Sequence, residues 1–205
     1  MKKLVIIIMC LHFNVVGFSQ ILNDIDEVYP FNEGIAAVKK GNQWCFINKK
    51  GETVIDFRND FVLTKNIDKL NNLVYYPVFK NDRCLIAKLE GDVYYYGYID
   101  KSGNNIVKPQ YLNASNFENG YAIVIKTSKV VVGFNKVLDK NVVSKKIEEF
   151  IIDTSGEIVK YLENPRADDT LSRKPKTPPA FHSKVIAPHI VAVQKKDDKW
   201  DIYEF

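Results

Sequence analysis

Three stretches of the chain share one alternation of apolar and polar positions. They are Phe46-Ile47-Asn48-Lys49-Lys50-Gly51-Glu52-Thr53-Val54-Ile55, Tyr98-Ile99-Asp100-Lys101-Ser102-Gly103-Asn104-Asn105-Ile106-Val107 and Ile151-Ile152-Asp153-Thr154-Ser155-Gly156-Glu157-Ile158-Val159. Each has two apolar residues, an Asn or Asp, two polar residues, a glycine, then polar residues leading into β-branched ones. The spacing from Gly51 to Gly103 and on to Gly156 is nearly constant, the mark of a repeat. Apolar and β-branched runs favour strands. An Asx side chain opening a turn accepts from the backbone two residues on, and glycine supplies the left-handed conformation that closes it. Asn48 to Gly51, Asp100 to Gly103 and Asp153 to Gly156 are therefore expected to be hairpin turns. Calcium loops are excluded, since each offers one acid or amide where calcium takes six to eight oxygens.

A second pattern recurs upstream: Phe31-Asn32-Glu33-Gly34-Ile35-Ala36-Ala37-Val38 matches Phe117-Glu118-Asn119-Gly120-Tyr121-Ala122-Ile123-Val124. Phe79-Lys80-Asn81-Asp82-Arg83-Cys84-Leu85-Ile86 is a poorer copy without the glycine, and residues 189–203 repeat the strand–turn–strand part. Strands are expected at 35–40, 43–48, 73–79, 83–89, 93–100, 121–126, 129–135, 147–153, 157–162, 189–195 and 199–204. Residues 57–72 read as a polar connection with one helical turn. The fold expected is all-β: tandem antiparallel β-hairpin repeats stacked into an elongated or propeller-like array, because no single unit buries its apolar face alone.

These residues resemble the WG-repeat family, over roughly 28–160 and 189–205. Tyr96-Gly97-Tyr98-Ile99-Asp100-Lys101-Ser102-Gly103, followed by Pro109-Gln110-Tyr111 and Phe117 to Val124, carries most of the likeness. Other copies are degenerate: Cys45 follows Trp44, Asp201 follows Trp200, and Tyr96 stands for tryptophan before Gly97. The resemblance implies extracellular or envelope β-repeat proteins without shared catalytic residues.

The first nineteen residues break the pattern. Lys2 and Lys3 precede the apolar run Leu4 to Leu11, and Gly17 and Ser19 are small. Such a segment describes a cleaved signal peptide, leaving Gln20 first and placing the protein in the periplasm, the cell envelope or outside the cell. Met9 before Cys10 is too bulky for a lipoprotein cleavage site. The apolar run is too short to span a bilayer, and no later segment does better. The expected organisation is a signal peptide at 1–19, repeats at 20–162, a Pro-rich loop or linker at 163–188, and a partial repeat hairpin at 189–205.

Net charge is +4, and Lys2 and Lys3 would leave with the signal, so nucleic acid is not an expected partner. Cys45 and Cys84 permit one disulfide, or are two buried thiols that never meet. No metal site or cofactor motif is present in the sequence. His182 and His189 flank the Pro-rich segment and read as surface or capping residues. Lysine pairs at 39–40, 49–50 and 195–196 cap hairpins, where charge discourages edge pairing. Asn113-Ala114-Ser115 fits a glycosylation sequon.

The tyrosines Tyr75, Tyr76, Tyr94, Tyr95, Tyr96 and Tyr98 are the richest candidate contact surface. Alternation puts Tyr94, Tyr96 and Tyr98 on one face, assigned to the core, and Tyr95 on the other. Tyr95 and Tyr75 are the candidate binding residues, for a protein or polysaccharide partner. The expected role is a non-catalytic binding or scaffold module. The alternatives are a hydrolase using carboxylates gathered between repeats, or a purely structural array.

Overall fold

The computed structural model describes residues 21–162, 170–171 and 177–205. The expected signal peptide and, within the Pro-rich segment, residues 163–169 and 172–176 lie outside them. Among the described residues there is no helix, and strands follow one another in consecutive antiparallel sheets.

The first sheet contains β1 (Glu27–Val28), β2 (Ile35–Lys40), β3 (Gln43–Asn48) and β4 (Thr53–Arg58). A hairpin of β5 (Thr64–Ile67) and β6 (Leu73–Tyr76) follows. The second sheet is β7 (Phe79–Lys80), β8 (Arg83–Glu90), β9 (Val93–Ile99) and β10 (Asn105–Tyr111). The third holds β11 (Asn113–Ala114), β12 (Tyr121–Asn135), β13 (Lys140–Asp153) and β14 (Ile158–Leu162), with β15 (Thr170–Leu171) also on β13. The last is β16 (Ser183–Ala187), β17 (Ile190–Gln194) and β18 (Trp200–Glu204).

Each turn type is built the same way from sheet to sheet. In the turn after β3 the Asn48 Oδ1 accepts from Lys50 N and Glu52 N at 2.9 and 3.1 Å. Asp100 Oδ1 takes Ser102 N and Asn104 N, both at 2.9 Å, and Asp153 Oδ1 takes Ser155 N and Glu157 N at 2.9 and 3.1 Å. Gly51, Gly103 and Gly156 close these turns with φ of 83°, 81° and 90°. Their surroundings match too. A side chain at Gly103 would touch Ile55 of β4 at ordinary contact distance, and one at Gly156 would press on Val107 of β10. Ile55 and Val107 each stand four residues after the previous turn glycine, so each turn sits on the equivalent residue of the sheet before it.

Two further copies of this turn lack glycine. Asp68 Oδ1 accepts from Leu70 N and Asn72 N, both at 2.8 Å, with Asn71 at φ 64°. The turn between β17 and β18 runs from Lys195 to Lys199, with Asp198 at φ 65°. Asn and Asp visit the left-handed region more readily than other residues with side chains, which lets them stand in for glycine. The 57–72 connection is therefore no helical turn: it holds the end of β4, all of β5 and the turn that leads into β6.

The core lies between sheets and explains why the central strands read as unbroken apolar runs. On β8, Cys84 and Ile86 join Phe46, Ile55 and Phe79 in a cluster shared with the first sheet. Leu85, between them, joins Tyr98, Phe117 and Val124 in a cluster shared with the third. On β12, Ala122 and Val124 face that second cluster while Ile123 packs with Val185 and Val191 of the last sheet. Strands covered on both faces have no polar side to show. Equivalent aromatics meet across each gap: Phe79 lies edge-on to Phe46 at 4.9 Å, and Phe117 to Tyr98 at 4.7 Å.

Polar contacts also run from one sheet to the next. The Glu33 carboxylate accepts from Asn81 N and Asp82 N at 2.7 and 2.9 Å, and Asn81 Oδ1 accepts from Gly120 N at 3.0 Å. Each of these two-residue turns has positive φ at both positions, with Asp82 in the glycine's place in the poorer copy.

Several strand expectations change. Residues 121–126 and 129–135 are one strand, β12, paired along its length with β13. β4, β10 and β16 fall where no strand is expected, β16 inside the proposed linker. Cys45 and Cys84 are both buried and unbonded, the second of the two readings left open by the sequence. Cys84 sits in the cluster with Trp44 and Phe46, while Cys45, between those two on β3, points to the opposite face. Burial raises both thiols, Cys45 to about 11 with a further push from Asp56, so neither is ionised near neutrality.

Candidate functional site

A cleft of about 540 Å³ opens where the β5–β6 hairpin lies against the first sheet. Its floor is aromatic. The Tyr29 ring stacks on Tyr76 with centres 4.0 Å apart, and Trp44 lies 5.8 Å from Tyr29. The short strand β1 places Glu27 directly opposite Lys39, a cross-strand pairing of opposite charges. Lys39 Nζ donates to Glu27 at 2.6 Å and lies 5.6 Å from the centre of the Trp44 ring. The Tyr29 hydroxyl donates to the other Glu27 oxygen at 2.5 Å. On β6, alternation turns Val74 and Tyr76 inward and Leu73 and Tyr75 outward, so the half-exposed Tyr75 stands on the rim with Leu63.

The electrostatics suit holding rather than proton transfer. The hydrogen bonds from Lys39 and then Tyr29 pull the Glu27 carboxyl below its usual range, more than burial raises it. Burial, then the bond to Glu27, pushes the Tyr29 hydroxyl up to about 12. A general acid or base needs a pKa near the working pH, and these two are displaced away from neutrality. What remains is a set of flat apolar faces beside a fixed polar pair, the usual make-up of a small-ligand or side-chain pocket.

The two tyrosines singled out from the sequence are not brought together. Tyr75 lines this cleft. Tyr95 is half-buried and packs with Val93, Leu112 and Ile125, so the exposed position expected for it is corrected. Tyr96 and Tyr98 pack in one cluster and Tyr95 in another, both of them with residues of the third sheet. The exposed member is Tyr94, near the end of the strand. Sequence reasoning missed Tyr29 and the Glu27–Lys39 pair, because β1 is only two residues long and shows no alternation.

A second cleft, about 560 Å³, lies between β14 and the last sheet. Lys195 there is bonded to Asp201 at 3.1 Å, and the Tyr161 hydroxyl accepts from Lys146 at 3.5 Å. His189 closes the β16–β17 turn and packs on Tyr121 and Phe205, and His182 lends its backbone N–H to the buried Glu149 at 2.7 Å. Among the described residues, no three His, Cys, Asp or Glu side chains are grouped to hold a metal ion.

The repeat geometry agrees with a comparison by family. The model for the WG containing repeat matches residues 24–44 and 96–129. Those two segments are similar to that repeat. No curated protein and no solved structure matches the chain. The matched segments end and begin at equivalent places, Trp44 of β3 and Tyr96 of β9, the position of the repeat's tryptophan. The glycine that follows has a packing reason here. A side chain at Gly97 would collide with the backbone of Val107, Lys108 and Pro109, where β10 bulges across β9. Among the described residues no helix is long and apolar enough to cross a membrane.

Proposed function

We propose that this chain is an exported, non-catalytic binding protein of the cell envelope or extracellular space. In this reading its WG repeats stack into one open, elongated array, and the cleft around Tyr29, Trp44 and Tyr75 receives the ligand. The cleft is the observation that carries the reading: the half-exposed Tyr75 stands on its rim, opposite Tyr29 and a carboxylate already satisfied by two donors. The stacking is supported by the core clusters, each shared by consecutive sheets, with none joining the first sheet to the last among the described residues. Export rests on the amino-terminal pattern of charge, apolar run and small residues.

The test uses Trp44 as its reporter, in a Trp200→Phe background that removes the other tryptophan. Soluble oligosaccharides and unstructured peptides are titrated while tryptophan emission is followed, with Tyr75 present and in Tyr75→Ala. A saturable change that weakens at least tenfold in Tyr75→Ala supports the cleft. No response to either probe class, or one indifferent to Tyr75, sinks it. Release of new reducing ends from an oligosaccharide would favour the hydrolase alternative. Mass measurement of the protein recovered outside the cytoplasm, beginning at Gln20, tests export.

A further inference from the structure

The β12–β13 hairpin outgrows the fold. Its base is core: Ile123, Ile125, Ile151 and Ile152 are almost fully buried. Beyond Lys145, where β15 stops pairing, no third strand accompanies it among the described residues. The ribbon then continues for about 13 Å from Val131 to Asn135 before turning. Its free end exposes apolar side chains, Val131 being 58 % exposed, Phe134 56 %, Val137 93 % and Leu138 65 %, with Lys136, Asp139 and Lys140 beside them at the turn. Soluble proteins seldom leave such a surface bare without a partner.

Charge selects the partner. Residues 126–146 contain six lysines against one acid, Asp139, although the whole chain is only +4. Lys129 stands directly opposite Lys145, and Ser128 opposite Lys146. Like charges facing each other across strands are destabilising, so this collar gains from a counter-anion. A protein groove would cover one face of the ribbon. A lipid surface surrounds both, taking the apolar tip below the headgroups and leaving the lysines at their level.

We propose that the β12–β13 tip docks the protein on an anionic lipid surface, with Val137 and Leu138 inserted and Lys129, Lys145 and Lys146 on the headgroups. Interfacial binding by buried apolar area together with basic side chains follows this pattern. A free polyanion would need the lysines but not the tip.

Flotation of the full chain with two kinds of vesicle tests this: phosphatidylcholine alone, and phosphatidylcholine with phosphatidylglycerol in equal parts. Binding is expected only to the second. It should fall roughly tenfold in Lys129→Glu/Lys145→Glu, and as much in Val137→Asp/Leu138→Asp. The apolar residues 4–11 are present in every variant, so a difference between variants belongs to the hairpin. Val137 and Leu138 are too exposed for their replacement to unfold the protein, and an unchanged Tm checks this. No binding, equal binding to both vesicles, or binding lost only with the lysines overturns the proposal. So does self-association that the tip substitutions abolish, since the occupant would then be a second copy.

Discussion

The β8–β9 and β12–β13 hairpins occupy the same place in their sheets, yet they end very differently. β8 and β9 are eight and seven residues long and meet at Gly91-Asp92, the turn lying just past the core. β12 and β13 are fifteen and fourteen residues long and share the same buried base, but run on into an exposed ribbon. The repeat therefore constrains the half of the hairpin that faces the neighbouring sheets and leaves the far end free. Additions for contact with a partner can be made there without disturbing the stack.

The sharpest way to break the shared half is at Gly97. Gly97→Ala places a methyl group into the backbone at Val107 to Pro109, and β10 cannot retreat without losing its pairing to β9. A loss of about 3 kcal/mol is expected by denaturant unfolding, at the upper end for overpacking. Cys45 occupies the same place after Trp44 and is fully buried, so the first sheet has already made room for a side chain. Cys45→Ala, which keeps a side chain in the room made for it, should cost no more than about 1 kcal/mol. Equal effects at the two sites would dissolve the equivalence.

Next in size come the turn glycines. Gly103→Val should cost about 2 kcal/mol for the left-handed backbone, since Ile55 is met only at ordinary contact distance. Lys101→Val should cost about 1 kcal/mol or less, because it removes surface pairs with Asp82 and Glu33.

What the sequence made legible follows from how each residue is used. The glycine turns could be read because glycine at that place has one plain physical reason. The Asp68 turn was hidden because Asn71 accepts the same conformation, whereas the Lys195 turn was legible from the apolar strands on either side of it. β4 and β10 escaped notice because Thr53–Arg58 and Asn105–Tyr111 are broken by charge, by Pro109 and by bulged pairing, all tolerable where a strand has only one neighbour. The segment Lys126-Thr127-Ser128-Lys129 looked like a break in a strand. Polar residues there interrupt nothing, since the ribbon is leaving the core. Of the candidate cleft only Tyr75 and Trp44 stood out, because the cleft forms by a hairpin folding onto another sheet.

The mildest perturbation separates the repeats by pH. Burial raises the Asp100 carboxyl, but the Asn104 and Ser102 hydrogen bonds outweigh it, and the net shift is downward. In Asp153 burial is likewise outweighed, by Ser155 and Glu157. A carboxyl lowered in the folded state stabilises above its unfolded pKa, about 3.9, and loses that contribution as the pH falls through the folded value. Asn48 makes the same bonds in the first sheet with nothing to titrate. Asp100→Asn/Asp153→Asn should therefore change stability by no more than about 0.5 kcal/mol at neutral pH, while flattening its decline below about pH 4. An acid limb unchanged by the double substitution would mean that these turns hold through their amide geometry alone. The charged and uncharged copies would then be interchangeable at every pH.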